Sequence, residues 1–146
     1  MNHLNEIKFK YNNNNNVIGR KITSSKDAEE FFRQIYDEDQ IEAFESFYAL
    51  YLDEEMNTIA YIKISSGGLT GTVVDIKHVL VGLIKLEAKN LIISHNHPSG
   101  ALRPSQNDIK LTNKLKKACE LLDYNLADHI ILTKDSYVSF IDKVLL

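Results

Sequence analysis

The spacing of hydrophobic residues along the chain predicts three helices. The first follows Ser24 or Ser25, either of which can cap a helix, and apolar residues recur from there to Ile35. Two more helices are predicted over residues 75–88 and 108–122, where apolar side chains recur every three or four positions. Each of these helices would present one apolar face to a core.

Runs of aromatic and β-branched residues predict the strands. Residues 45–53 and 58–64 flank a polar turn, a pattern typical of an antiparallel hairpin. The short apolar run 91–94 indicates a buried strand, and residues 129–133 and 137–140 indicate a second hairpin. Strands that alternate with helices favour an α/β fold, with a mixed sheet and helices packed against it.

The beginning of the chain has a different character. Five consecutive asparagines occupy residues 12–16, where helix and strand propensities are both poor. We predict a loop there, between two short strand-like segments at 6–11 and 17–22. We therefore expect a partly flexible leader over residues 1–20 and a single domain over residues 21–146.

Composition and charge narrow the classes of function. The chain has 146 residues, of which 44% are apolar and 25% charged, as in a typical globular domain. A formal net charge of −3 disfavours a protein that neutralises nucleic-acid phosphates over a broad surface. The single cysteine, Cys119, excludes an intrachain disulfide and a zinc site built from cysteines. Without a long apolar run or a secretion signal, we expect a cytoplasmic protein with no membrane partner; the sequence does not indicate an oligomeric state.

The candidate chemistry lies directly after the predicted strand at 91–94. His95 and His97 are two residues apart. Because strand side chains repeat with period 2, both imidazoles would leave the strand on the same side. Asp108 follows after a loop short enough to return its carboxylate to the histidines. Two imidazoles and one carboxylate can hold zinc and leave its fourth position open, which predicts a catalytic type of zinc site.

Two pairs of residues, one in this segment and one later in the chain, allow more than one interpretation. Ser105 and Asp108 have the spacing of a capping box, in which the serine caps a helix and the acidic side chain reaches back. His129 follows Asp128 at the start of a predicted strand. It is either a buried core histidine or, together with Asp128, part of a pair that orients a ligand histidine.

The pattern His-x-His, seven residues, then Ser-x-x-Asp resembles the signature of the JAMM metalloproteases, the MPN/JAB family. His-Asn-His-Pro-Ser-Gly at 95–100 and Asp-His-Ile-Ile at 128–131 resemble the RadC subfamily in particular. The aromatic-rich segment 47–53, preceded by a glutamate, does so as well. The resemblance covers roughly residues 21–142. It implies the JAB/MPN architecture, which is cytidine-deaminase-like: a curved mixed sheet flanked by helices.

The resemblance also implies roles for individual residues. His95, His97 and Asp108 match the zinc ligands of the family. Glu45 matches the upstream glutamate, which acts as general base on the zinc water, and Ser105 matches the serine that stabilises the oxyanion. The implied activity is zinc-dependent hydrolysis of a peptide or isopeptide bond, with a peptide or protein as substrate.

Some positions depart from the RadC pattern, and other functions stay open. Ala101-Leu102 and Ile76-Lys77 stand where the family commonly has Asp-Pro and Pro-Arg, which concerns substrate contacts rather than ligands. Glu42 is the alternative to Glu45 as the base. Longer RadC members carry a helix-hairpin-helix DNA-binding domain, and we expect no DNA binding by that route here. A DNA-processing accessory and a metal-binding scaffold without turnover are the alternatives to a hydrolase.

Overall fold

The computed structural model describes Glu6, residues 19–67 and residues 73–146. The leader predicted for residues 1–20 therefore falls largely outside the described residues and stays a prediction. The elements follow in the order α1 (Ser25–Ile35), β1 (Ser46–Leu52), β2 (Thr58–Ser66), α2 (Ile76–Leu86), β3 (Asn90–Asn96), α3 (Gln106–Leu121), β4 (Asn125–Leu132) and β5 (Tyr137–Ser139).

The described strands form one mixed sheet with the order β2-β1-β3-β4-β5. β1 is antiparallel to both of its neighbours, β3 and β4 are parallel, and β5 returns antiparallel to β4. The parallel pair follows from the crossover through α3, since parallel strands need a long connection. The predicted α/β class with a mixed sheet is confirmed.

Helices cover both faces of this sheet. β1 is buried along its whole length, which explains why its sequence is a continuous apolar run instead of an alternating one. On one face, Leu50 belongs to the same buried cluster as Phe32 of α1. On the other face, Tyr51 is clustered with Leu83 of α2 and Leu115 of α3. The central strands are therefore held between two helical layers.

Side-chain caps begin the three helices close to where the pattern predicts them. Ser24, one of the two predicted caps, accepts a hydrogen bond in the first turn of α1. Asp75 does the same for α2, and Ser105 for α3. Each cap satisfies a backbone N–H group that has no partner within its helix.

The beginning of β4 differs from the prediction, which placed it at His129. The strand starts at Asn125, four residues earlier. Polar Asn125 and Asp128 interrupt the apolar run there, so the local pattern gives no strand signal. Pairing with β3 determines the boundary instead: Asn125 lies opposite Asn90 in register, and its amide donates to the Asn90 side chain at 2.9 Å.

Three chain segments meet at one edge of the sheet, namely the edge at which β1 begins and β3 ends. The antiparallel register pairs Phe47 of β1 with His95 of β3, so residue 45 is level with residue 97 when that register continues. The first turn of α3 lies over the same edge, with Asp108 within 3.2 Å of both histidines. Among the helices of the described residues, none is both long and apolar enough to cross a membrane.

Candidate metal centre

His95, His97 and Asp108 converge at this edge. The Nε2 atoms of the two histidines are 2.9 Å apart. Asp108 places Oδ1 at 3.2 Å from Nε2 of His95 and Oδ2 at 3.2 Å from Nε2 of His97. One potential ligand atom from each residue lies within 4.8 Å of the others. The structure thus brings together the three residues that the sequence predicts as metal ligands.

Asp108 caps α3 and faces the histidines at the same time. The backbone N–H of Ser105 donates to Oδ2 of Asp108 at 2.8 Å, and the backbone N–H of Asp108 donates to Oγ of Ser105 at 3.0 Å. This is the reciprocal capping box expected from the spacing. The cap and the cluster are therefore not alternatives, because the cap holds the carboxylate in the orientation that the cluster uses.

A backbone carbonyl determines the tautomer of His97. Its Nδ1 lies 2.7 Å from the carbonyl oxygen of Ala101. A carbonyl oxygen can only accept, so Nδ1 must carry the proton. In the neutral ring, the lone pair is then on Nε2, which points into the cluster.

A buried chain of hydrogen bonds determines the tautomer of His95. Thr112 donates its only hydroxyl hydrogen to the carbonyl oxygen of Asp108 at 2.6 Å. Its oxygen therefore accepts from Nδ1 of His129, at 2.7 Å. Nε2 of His129 then accepts from Nδ1 of His95, also at 2.7 Å. His95, like His97, is left with a lone pair on the Nε2 that faces the cluster.

These donors fit a divalent metal ion. Two nitrogen lone pairs at 2.9 Å from each other, with a carboxylate beside them, concentrate negative potential in one small volume. The lone pairs and the carboxylate therefore repel one another, and a cation bound between them removes that repulsion. Imidazole and carboxylate are ligands of zinc and of other first-row transition metals, and three protein ligands are typical of catalytic zinc sites. The cluster could therefore bind a metal ion through three protein ligands.

Glu45 lies at the edge of the cluster. It directly precedes β1, and its Oε1 is 4.0 Å from Nε2 of His95. With His95, Asp108 and other residues it lines a cavity of about 190 Å³. A small substrate group can therefore approach the cluster and the Glu45 carboxylate from the same side.

A family profile described as a RadC-like JAB domain matches residues 22–145. The chain belongs to the RadC-like JAB domain family. The match spans α1 to β5 and therefore includes all the residues of the cluster. The resemblance found in the sequence motifs is confirmed at the level of the family, and the observed fold is consistent with the JAB/MPN type.

Proteins from several organisms are similar to this chain over most of its length. The UPF0758 protein of Flavobacterium johnsoniae is 42% identical over 124 residues, which cover 85% of this chain and 53% of the relative. That of Aquifex aeolicus is 39% identical over 119 residues, with 82% and 50% covered. That of Coprothermobacter proteolyticus is 38% identical over 135 residues, with 92% and 57% covered. The chain thus spans about half the length of the curated relatives it matches.

The charges of the RadC-like cluster depend on one another when no metal is bound. The hydrogen bond to Asp108 raises the pKa of His97 above its ordinary value, although burial acts in the opposite direction. Burial also opposes ionisation of Asp108, but His95 and His97, which donate to this carboxylate when Nε2 is protonated, outweigh burial and hold the pKa of the carboxyl well below its usual range. The pKa of Glu45 is raised above its ordinary value. Burial is the main cause and the Asp108 charge adds to it, whereas the nearby histidines act in the opposite direction.

The other acidic candidates lie away from the cluster. Glu42, the alternative to Glu45, is exposed and pairs with Lys134 at 3.1 Å. Asp128 does not contact a ligand histidine, because its carboxylate accepts from the Ser139 hydroxyl and from backbone N–H groups. Of the pair Asp128 and His129, only the imidazole contacts a ligand. Burial, above all, holds the pKa of His129 well below its ordinary value, so this ring is neutral.

Two residues of the site have no counterpart among the sequence predictions. Thr112 lies four residues after Asp108, and that spacing places both side chains on one side of α3. Once α3 and its cap are assigned, this spacing is the sequence signal that could have indicated Thr112 as a residue near the cluster. Asn96 lies between the two histidines, so its side chain points to the opposite face of the strand. Its hydrogen-bond partners lie just before β1 and at its first residue. Local sequence patterns do not predict that this segment lies next to the end of β3.

Proposed function

We propose that this RadC-like domain is a zinc-dependent hydrolase of peptide or isopeptide bonds. The observation that carries the proposal is the pair of Nε2 lone pairs that face the Asp108 carboxylate, with the partly buried Glu45 carboxylate beside them. A metal site with a separate carboxylate at its edge is the arrangement that metal-assisted hydrolysis requires.

His95, His97 and Asp108 would hold the metal ion. Zinc is proposed because of the ligand types and because three protein ligands leave one position open. Bound zinc would supply water with a pKa of about 7 and would polarise the carbonyl group of a substrate. The hydrogen-bonded Nδ1 atoms keep both rings oriented, and such partners also raise the basicity of ligand imidazoles.

Glu45 would be the general base. A base transfers protons best when its pKa lies near the working pH, and burial shifts the pKa of Glu45 in that direction. Its Oε1 is 4.0 Å from His95 Nε2, so the carboxylate lies beside the ligand atoms. From there it would take a proton from the attacking water and pass it to the leaving amine. This transfer makes the amine a better leaving group.

Ser105 would stabilise the oxyanion that forms during hydrolysis. Its Oγ accepts a hydrogen bond from the backbone N–H of Asp108. That bond uses a lone pair of the hydroxyl and leaves its hydrogen for a substrate oxygen. A donor aimed at a developing oxyanion lowers the barrier of acyl transfer.

The variant Glu45→Gln tests this function. We expect hydrolysis of a mixed library of peptide and isopeptide substrates to fall by about 10²- to 10⁴-fold, because proton transfer is lost. Zinc affinity should stay at the wild-type value, since Glu45 is not among the ligands. Glu42→Gln is the matched control, because it changes an exposed glutamate in the same segment between α1 and β1. This variant should retain full activity.

Two outcomes would contradict the proposal. Full activity of Glu45→Gln would remove Glu45 from its role as base. A wild-type protein that binds zinc but cleaves nothing in the library would instead support a metal-binding scaffold.

A further inference from the structure

We propose that Asn96, the residue between the two histidines, is a positioning residue that fixes Glu45 beside the metal cluster. This inference rests on the proposed role of Glu45 as the base. Asn96 adjoins both ligand histidines in the chain, but it is not itself one of the candidate ligands and does not line the cavity beside them. It would act entirely through the backbone on both sides of Glu45.

The location of Asn96 suits this role. It is the last residue of β3, and its side chain is 0% exposed. Because strand side chains alternate, the ligand His95 lies on one face of the sheet and Asn96 on the other. A polar side chain at such a position must find hydrogen-bond partners, since an unpaired buried amide is costly. Its partners lie in the loop that leads into β1 and at the first residue of that strand.

The amide of Asn96 makes three short hydrogen bonds, two to that loop and one to the first residue of β1. Nδ2 donates to the carbonyl oxygens of Ile41 at 2.7 Å and of Phe44 at 2.8 Å. Oδ1 accepts from the backbone N–H of Ser46 at 2.7 Å. Both hydrogens of the NH₂ group and one oxygen lone pair are therefore used. This assignment also fixes which end of the amide is nitrogen, because carbonyl oxygens only accept and the Ser46 N–H only donates.

These bonds restrain the peptide groups on both sides of Glu45. The carbonyl of Phe44 belongs to the preceding peptide group, and the N–H of Ser46 belongs to the following one. The carbonyl oxygen of Glu45 itself accepts from the backbone N–H of Gly67 at 2.8 Å. Asn96 therefore limits rotation about Glu45 at the point where the chain enters β1.

Such restraint affects catalysis because the position of a base is critical. A displacement of about 1 Å at a reacting group can lower a rate by about 10²-fold. Glu45 precedes the first residue of β1, and the bond from Gly67 holds only its carbonyl group, so Asn96 supplies the restraint on the peptide groups on either side. One strand end therefore carries a ligand, His95, and also the amide that positions the proposed base.

The test compares Asn96→Asp with Asn90→Asp. Asn90 is a matched control: it begins the same strand, is 8% exposed, and also bonds a loop carbonyl, that of Asp53 at 2.8 Å. Both substitutions replace a buried amide by a carboxyl group of the same shape. Only the first faces the loop that carries Glu45. Asn96→Ser removes the amide without adding a charge and serves if Asn96→Asp does not fold.

Each substitution is made in the wild-type and in the Glu45→Gln background. We expect Asn96→Asp or Asn96→Ser to lower kcat by about 10²-fold, with KM and zinc affinity at wild-type values. In the Glu45→Gln background, the same substitution should lower kcat no further. Asn90→Asp should leave kcat unchanged in both backgrounds. An equal loss in the presence and absence of Glu45, or an equal loss for Asn90→Asp, would overturn the proposal.

A spectroscopic measurement tests Asn96 even if the protein hydrolyses nothing. The ¹³Cδ signal of Glu45 in zinc-loaded protein is assigned by its loss in Glu45→Gln. We expect Asn96→Ser to shift this signal towards that of an exposed glutamate, while Asn90→Asp leaves it in place. An unchanged Glu45 signal in Asn96→Ser would overturn the positioning role, whatever the outcome of the activity assays.

Discussion

At the scale of single residues, the hydrogen bonds made by each Nδ1 determine what the two histidines can do. Nδ1 of His97 donates to a fixed carbonyl, and Nδ1 of His95 donates into the chain through His129 and Thr112. Both neutral rings consequently direct a lone pair at the carboxylate of Asp108. The same imidazoles in the other tautomer would direct N–H groups at the cluster and would not ligate a metal.

Thr112 tests the importance of this chain of hydrogen bonds. We expect Thr112→Val to lower zinc affinity by about 10- to 100-fold, because partners of ligand histidines typically contribute that much. Thr112→Ser keeps the hydroxyl and should keep an affinity close to that of the wild type. Competition with a chromophoric chelator measures both variants. Equal affinities for the valine and serine variants would show that the hydroxyl has no effect on the ligands.

The raised pKa of His97 predicts how zinc binding depends on pH. In the metal-free protein, Asp108 favours the protonated form of His97, and a metal ion must displace that proton. Affinity should therefore fall by about tenfold per pH unit below the raised pKa, and the fall should begin above the ordinary histidine value of about 6.5. Calorimetric titrations across neutral pH measure this. An affinity that stays constant down to about pH 6 would contradict it.

The residues of the cluster were easier to predict than their proton positions. The spacing of His95, His97 and Asp108 pointed to a common site because strand alternation and a short loop bring them together. The tautomer of His95 depends on Thr112 and His129, which come from a helix and a strand later in the chain. Local patterns do not contain that information.

At the scale of elements, close contact between α2 and β1 supports the strand that carries Phe47. A Cβ atom at Gly82 would overlap Cζ and the hydroxyl oxygen of Tyr51. Tyr51 is buried and donates its hydroxyl to the carbonyl oxygen of Val79 at 2.8 Å. The helix therefore sits directly on the tyrosine ring, and only glycine leaves enough space at this point.

Gly82→Ala should destabilise the protein despite the higher helix propensity of alanine. We expect the free energy of unfolding to fall by about 1–3 kcal/mol, because the ring of Tyr51 must move within a packed core. Val81→Ala on the same helix is the control: Val81 is 52% exposed, and we expect a change below about 0.5 kcal/mol. Urea denaturation measures both. A Gly82→Ala variant as stable as the wild type would contradict the close contact between α2 and Tyr51.

The elements themselves were mostly predictable from sequence. Periodicity predicted the three helices, candidate caps supported the first and third, and the short apolar run at 91–94 indicated the buried strand that is β3. The start of β4 at Asn125 could not be predicted in this way, because it results from pairing with Asn90 of β3. Pairing between distant strands can extend a strand through polar residues that a local pattern assigns to a loop.

At the scale of the whole molecule, the order of strands assembles the site. β3 lies between β1 and β4, so the end of β3 is next to Glu45 on one side and to His129 on the other. The crossover helix α3 then brings Asp108 over the same edge. Residues that are far apart in sequence become neighbours because three strands and a helix terminus meet at one point.

Zinc stoichiometry is the most direct test of the central claim that His95, His97 and Asp108 form a metal site. Equilibrium dialysis followed by elemental analysis should find about one zinc ion per chain in the wild type. His97→Gln should lose this zinc, whereas the control His78→Gln, which changes an exposed histidine on α2, should retain it. A wild-type protein without stoichiometric zinc, or a His97→Gln variant that binds zinc as tightly as the wild type, would contradict the account.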